Sequence, residues 1–307
     1  LRIGRAVESG GDFTVREVVL IERGRRLPVS GISLGFSHEV TGNPASGDFT
    51  LSKGRLLVNG LPVVIAGTVK GWRIGTFRID TGDVGAAALV AAAPDSLLPM
   101  KRDVTASGTA RLALDLSVDL AGPKPKASWT GECTVRDVSA AVKGFKRIDS
   151  LRSTVTMTEN VLSFRDTEVR IGGSRAAVEG TVAGYLGKPV VAVRAHGSVS
   201  LDEAAQAIPG LAKSGAAGGL DFDITAKGPV RPDSLLLDGR AELRKFRVNV
   251  PKVLHHPAEM TGALRITPRA VELSTLAVRT GKSDFALTGR LADYRNLLTA
   301  ERGAPAR

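Results

Sequence analysis

One cysteine, Cys133, stands in a chain of 307 residues, so no internal disulfide and no cysteine-based metal site can form. A single thiol still leaves the redox compartment open. Aromatic residues make up only 4%, too few to stack along a nucleic-acid strand. That scarcity limits how the formal charge of +11 is read. Such a charge favours anionic partners, nucleic acid or acidic lipid headgroups, but the Lys and Arg residues are scattered over strand faces and turns, and no nucleic-acid partner is expected. Long apolar runs are missing too. The longest uncharged stretch of small apolar residues, Val84 to Pro94, falls well short of the roughly 20 residues of a membrane-spanning helix. The chain starts at Leu1 without a signal-peptide pattern; it is expected to be a piece of a longer protein, with any anchor outside it.

Catalytic motifs are equally scarce. His255 and His256 are adjacent, so on a strand they point to opposite faces, and a turn before Pro257 is the simpler reading. His38 and His196 are isolated. Asp115 with Asp119, and Asp221 with Asp223, fall on the polar side of amphipathic strands, where solvated carboxylates are expected and acid/base pairing is not. Gly281-Lys282-Ser283 imitates the end of a P-loop, but the required upstream glycine is Leu276. Gly42 to Gly47 fails at the other end, where Asp48 replaces the lysine. Cys133 reads as a small core or groove residue. No enzyme activity, cofactor or metal is expected.

What the chain has in quantity is glycine, 35 residues, with 15 prolines and 43% hydrophobic content, a balance suited to many turns between Val-, Leu-, Ile- and Ala-faced strands. It also repeats itself. Gly172 to Lys188 returns 109 positions later at Gly281: Ser174 falls on Ser283, Ala176 on Phe285, Val178 on Leu287, Gly180 on Gly289, Val182 on Leu291 and Tyr185 on Tyr294. A looser copy stands at Leu61 to Gly71, where Gly67-Thr68-Val69 answers Gly180-Thr181-Val182. A period of about 110 residues is far longer than that of the common solenoids. Within each copy apolar residues alternate at period two, which predicts strands with one apolar and one wetter face.

The same pattern runs along the chain. Leu1 to Gly71 reads as strand after strand. Thr109 to Leu120 is the clearest, with Leu112, Leu114, Leu116, Val118 and Leu120 on one face; at about 3.3 Å per residue it spans roughly 40 Å. Gly122-Pro123 and Gly228-Pro229 predict turns. Gly82 to Pro94 and Gly197 to Pro209 match in length and final proline, which predicts one short helix per repeat at Ala86 to Ala93 and Leu201 to Ile208.

The order of segments GSVSLDEAAQAIPGL, DGRAELRKFRVNVP and AVELSTLAVRTGKSDFALTGRLADY resembles the C-terminal region of the AsmA-like family of bacterial envelope proteins, with GKSDFALTGRLADY the most specific part. The likeness covers Gly82 to Leu298 and extends to Leu1 to Gly71 only as a degenerate repeat. Members of that family are similar to bridge-like lipid transfer proteins, whose curved sheets form a trough with an apolar inside and a polar outside. The resemblance implies a periplasmic location, with a tether to the inner membrane outside this sequence.

The expected fold is therefore all-β, an elongated, curved, repeat-built antiparallel sheet forming an open groove, with a short α-helix per repeat. The expected division is residues 1–71 as a partial N-terminal β repeat, 72–185 as a central repeat, 186–298 as a C-terminal AsmA-like repeat, and 299–307 as a tail. The expected function is non-enzymatic carriage of phospholipid acyl chains, with phospholipids and components of the inner, and at the far end the outer, membrane as partners. Leu112, Leu114, Leu116, Val118, Leu120, Phe222, Ile224, Phe285, Leu287 and Leu291 are the candidate lining residues. A non-catalytic scaffold for outer-membrane assembly is the alternative. Alternation alone leaves groove lining and a closed sandwich or barrel core both open; the shortage of large residues to fill an interior, of helices to cover the strands, and the resemblance favour the groove.

Overall fold

The computed structural model describes residues 6–18, 21–22, 25–26, 32–93, 98, 101–122, 126–142, 147–185, 187–207, 215–231, 234–249 and 257–293. Pro94, Pro123, Ile208, Pro209, the His255-His256 pair, Tyr294 and the 299–307 tail lie outside them. Of the described residues strand accounts for 77% and helix for 6%, so backbone ladders, not helix packing, carry this all-β fold.

The chain forms two compact units, Leu1–Gly144 with Arg152–Glu159, and Phe145–Leu151 with Asn160–Arg307. The first contains β1 (Val7–Val18), the small hairpin of β2 (Ile21–Glu22) and β3 (Arg25–Arg26), β4 (Ile32–Asn43), β5 (Asp48–Val58), β6 (Leu61–Lys70), β7 (Ile74–Asp80), β8 (Val84–Gly85), helix α1 (Ala86–Ala92), β9 (Val104–Asp119) and β10 (Lys126–Val142). The division between units falls within β11 (Ile148–Thr158). The second unit holds β12 (Val161–Ile171), β13 (Ser174–Ala183), β14 (Val190–Ser200), helix α2 (Leu201–Ala207), β15 (Ala217–Pro229), β16 (Leu236–Val248), β17 (Ala258–Ile266), β18 (Ala270–Thr280) and β19 (Ser283–Ala292). All pairing is antiparallel. In the first unit β1 pairs with β4, β4 with β5, β5 with β6, β6 with β7, β7 with β9 and β9 with β10. In the second, each strand from β12 to β18 pairs with the next, and among the described residues no pairing joins β12 to β19.

The sequence repeat is a repeat of elements. β12 and β13 recur as β18 and β19, each 109 residues on, and β5 and β6 precede β12 and β13 by 113. The two helices begin 115 residues apart and are seven residues each. Each helix is tied to the equivalent hairpin turn. Asn59 Nδ2 donates to the Ala92 carbonyl at the end of α1 (2.8 Å); in α2, Glu203 accepts from the Gly173 N–H (2.9 Å) and the Ser174 hydroxyl (3.0 Å).

β-Bulges recur at the same places and preserve the faces. The register shifts between Phe164 and Thr167 in β12, and 109 residues later between Leu273 and Leu276 in β18. Others fall between Arg136 and Ser139 in β10 and between Leu243 and Phe246 in β16. The extra residue of three of these takes a left-handed conformation: Asp137 (φ 48°), Asp166 (φ 49°) and Lys245 (φ 47°). Side chains alternate strictly along a strand, so one inserted residue reverses which of the following positions face the same side. In β12 the apolar residues are Leu162 and Phe164 before the shift and Val169 and Ile171 after it. Without the bulge Glu168 and Arg170 would occupy the apolar face.

Two expectations, one of a turn and one of a strand, are corrected. Gly228-Pro229 closes β15, Gly228 at φ 113°, and the chain bends after it, where Arg231 N–H reaches the Pro229 carbonyl (2.7 Å). The predicted Thr109 to Leu120 strand starts at Val104 and ends at Asp119, leaving Leu120 just beyond it.

Candidate functional site

In each unit the registers bring alternate residues of every strand onto one face. Directly opposite residues of an antiparallel pair share a side, so the face can be followed from strand to strand. In the first unit Leu112, Leu114, Leu116 and Val118 of β9 stand opposite Cys133, Gly131, Trp129 and Ala127 of β10, and the last three leucine and valine positions stand opposite Ile79, Phe77 and Gly75 of β7. From there it runs through Ile65, Gly67 and Val69 of β6, Leu51 and Phe49 of β5 and Val40 of β4, to Phe36 opposite Phe13 of β1. The second unit repeats the arrangement. Phe222 and Ile224 of β15 stand between Gly197 and Ala195 of β14 and Ala241 and Gly239 of β16. At the far end Phe285, Leu287 and Leu291 of β19 face Val278, Leu276 and Val271 of β18.

No second sheet among the described residues covers these faces; the short helices lie against only a few strands, α1 against β9 and β6 and α2 against β15 and β14. Leu112, Leu114, Leu116, Val118, Phe222 and Ile224 are half-buried, while Leu120, Phe285, Leu287 and Leu291 are 47%, 43%, 47% and 48% exposed. Among the described residues no large side chain is fully buried, and the buried apolar set is small: five alanines, three valines and Leu201. A closed sandwich or barrel core, the other reading of the alternation, would bury these leucines completely; the described residues do not.

An apolar hollow lies on the first unit's face. A cavity of about 260 Å³ is lined by Phe13, Phe36, Phe49, Phe77, Val40, Leu51 and Val69, with His38 at its side. Four of the nine phenylalanines thus meet in one place. Gly67 leaves the room, since a Cβ there would come within 2.5 Å of the Phe77 ring. His38 stacks on Phe36 with ring centroids 5.7 Å apart, and its Nε2 lies 3.3 Å from the Ser9 hydroxyl. Its Nδ1 is buried without a hydrogen-bond partner among the described residues. Alternation around Leu34 to Val40 could have signalled this cluster, but only the register reveals that β1, β4, β5 and β7 deliver their phenylalanines together.

The opposite faces carry the charge. Arg194 makes a two-pronged pair with Asp223 (both 2.8 Å), and Asp221 pairs with Arg244 (2.7 Å). Arg111 pairs with Asp80. Hydrogen bonding from Arg111 holds the Asp80 carboxyl below its ordinary value, and Arg194 does the same to Asp223. Asp221 and Asp223 thus stand on the polar side, as expected, and there cross-strand arginines pair with them, because diagonal and opposite positions on one face lie within reach of long side chains. Asp115 and Asp119 are exposed. Cys133 is half-buried on the apolar face opposite Leu112, and burial raises its thiol pKa. Among the described residues no group of three or more His, Cys, Asp or Glu could hold a metal ion, and no helix is long and apolar enough to cross a membrane.

No family model matches the chain, and no curated protein or solved structure does either.

Proposed function

We propose that this chain is a non-enzymatic lipid-binding segment of a bacterial envelope protein, whose apolar β face carries phospholipid acyl chains between the inner and outer membranes. The observation that supports this best is the continuous, half-exposed apolar face of each unit, bounded on its other side by ion-paired charge. An acyl chain in water costs about 0.8 kcal/mol per CH₂, on the order of 12 kcal/mol for some sixteen carbons. A face of Leu, Val, Ile and Phe wide enough to cover the chain removes much of that cost and needs no reacting group. The sequence resemblance to AsmA-like proteins supports the periplasmic setting and an inner-membrane tether supplied by another segment.

Native mass spectrometry of the purified chain, followed by extraction and identification of any copurifying lipid, tests the reading. Stoichiometric phospholipid is the expected result. A lipid-free spectrum that persists after incubation with phospholipid vesicles would overturn it in favour of a protein-binding scaffold.

A further inference from the structure

The aromatic hollow of the first unit is a local addition to the repeat. Phe13, Phe36, Phe49 and Phe77 make most of its wall, and no Asp, Glu, Lys or Arg among the described residues lines it. Register puts Leu162 of β12 and Val193 of β14 at the second unit's counterparts of Phe49 and Phe77, so the sheet itself does not require these rings. Glycines are placed to admit them. A Cβ at Gly42 would run into the Phe49 ring, as one at Gly67 would into Phe77. Trp72 adjoins the hollow, 59% exposed, its ring centroid 4.7 Å from that of Phe49 and its Nε1–H donated to the Pro44 carbonyl (3.2 Å).

Size and polarity decide what fits. A volume of about 260 Å³ exceeds the roughly 150 Å³ of a protein cavity that holds benzene, and gives room for part of one hydrocarbon chain but not for two side by side. Water inside would meet rings and one imidazole, short of the about two to four polar partners an ordered water takes. A peptide would bring an N–H and a C=O with every residue, while the ladder groups of β1, β4, β5, β6 and β7 are engaged with one another. One polar group can be met. His38 Nε2 lies 3.3 Å from the Ser9 hydroxyl, and Nδ1 has no partner among the described residues. A buried N–H left unpaired is a costlier orphan than a bare lone pair, which places the ring proton on Nε2, donating to Ser9. The Ser9 hydroxyl hydrogen is then left to donate to an incoming acceptor. Ser9 is exposed and stands opposite Val40, at the border of the hollow. We infer that the hollow seats one acyl chain, with its hydrocarbon against the four phenylalanines and its carbonyl oxygen accepting a hydrogen bond from Ser9. The inference rests on the lipid-binding reading above and narrows it: a single chain and its ester or carboxyl carbonyl are recognised here, and a charged headgroup stays outside in water.

Quenching of Trp72 fluorescence in the whole chain, on a Trp129→Phe background, tests this. The probes are a lysophospholipid and a fatty acid, each carrying a nitroxide near the methyl end of its chain and used below its micelle concentration, and the ether analogue of the lysophospholipid, which lacks the carbonyl. The expected result is saturable quenching at one chain per protein, and the tighter of the two acyl probes tells whether an ester or a carboxyl occupies the seat. Ser9→Ala is expected to weaken that probe roughly threefold to tenfold, the loss of one hydrogen bond, and to leave the ether analogue unchanged. Phe13→Ser is expected to weaken all three at least about tenfold, the contact of two CH₂ groups. Both side chains are exposed, so both variants keep the fold, and circular dichroism verifies it. Quenching that does not saturate, an acyl probe indifferent to Ser9→Ala, or full affinity in Phe13→Ser would each overturn the inference. Native mass spectrometry of the unsubstituted chain after incubation with phospholipid vesicles separates the two failures: bound lipid without these effects removes the seat and leaves the apolar face as the carrier, whereas absence of bound lipid removes both.

Discussion

Replacing Leu116 by Asp separates an open apolar face from a packed core by magnitude. Leu116 stands on β9 between Phe77 of β7 and Trp129 of β10 and is half-buried. Complete burial of a leucine contributes about 1.5–3 kcal/mol, so losing half of it lowers folding stability by about 1 kcal/mol, since the new carboxylate can reach water. In a closed core the same carboxylate would be buried without a partner, at a cost above about 4 kcal/mol. For a bound acyl chain the effect is larger than for the fold. Two or three CH₂ groups crossing Leu116 lose about 2 kcal/mol of contact at ~0.8 kcal/mol each, and desolvating the carboxylate beneath them adds to it, so lipid occupancy falls at least ~30-fold. Ser117→Asp, one residue on and facing the other side, is expected to leave occupancy unchanged. Denaturant midpoints give the folding term, and native mass spectrometry after vesicle incubation gives the lipid term. Loss of more than about 4 kcal/mol of stability, or undiminished lipid in a folded Leu116→Asp variant, would refute the argument.

Gly180→Ala is expected to destabilise by about 1–3 kcal/mol, through its positive φ and the clash with β14, whereas Gly289→Ala, with nothing within 4 Å among the described residues, stays within about 0.5 kcal/mol; equal midpoints would sink the idea that the contact with β14 sets the cost at Gly180. The Asp80 carboxyl is held below its ordinary 3.8 by Arg111, so its stabilisation is fully present above that value and is lost as pH falls through the lowered one. Wild type should therefore lose stability more steeply below about pH 4 than Asp80→Asn, and parallel acid titrations of the two would contradict the assignment. Burial raises the Cys133 thiol, so at pH 8 less of it is thiolate than in a free cysteine, and alkylation by iodoacetamide should be slower. Phospholipid vesicles should slow it further, since Cys133 lies on the apolar face; acceleration or no change by lipid would count against that face as the binding surface.

The fold class is legible because its signal is local. Leu112, Leu114, Leu116 and Val118 alternate without interruption, and a strand is the only element in which four such residues share a side. The helices at Ala86 and Leu201 are legible through matched length and position. The bulges are not, because their mark is a change of parity. In Leu162, Phe164, Val169 and Ile171 the apolar residues switch from even to odd positions, which a strand-by-strand reading takes as the end of a pattern. The left-handed Asp166 and Lys245 carry no composition signal that sets them apart from ordinary surface residues. The aromatic cavity is hidden for another reason. Phe13, Phe36, Phe49 and Phe77 are spread over 65 positions, and only cross-strand register makes them neighbours. Likewise Asp223 looks solvated in sequence, since its partner Arg194 lies on a different strand.

Parity and register together explain how long strands can stay one-sided. A strand of sixteen or seventeen residues, as in β9 and β10, accumulates right-handed twist with every residue, and a bulge adds local twist while admitting one residue that faces neither side cleanly. Placing that residue as Asp137, Asp166 or Lys245 puts a polar, exposed side chain where the ladder is interrupted, and the apolar set resumes on its original side. Gly108 and Gly218 on the neighbouring strands make room for it: a Cβ at Gly108 would meet the Asp137 carbonyl oxygen at 2.5 Å, and one at Gly218 would meet that of Lys245 at 2.4 Å. The two pairs stand at equivalent places about 110 residues apart, so the repeat conserves the correction as well as the strands. If the faces served only to fill a core, a single break in alternation could be absorbed by repacking against a second layer. With no such layer among the described residues, uninterrupted apolar continuity has to be kept within the strand itself, and that is the property a lipid-carrying surface requires.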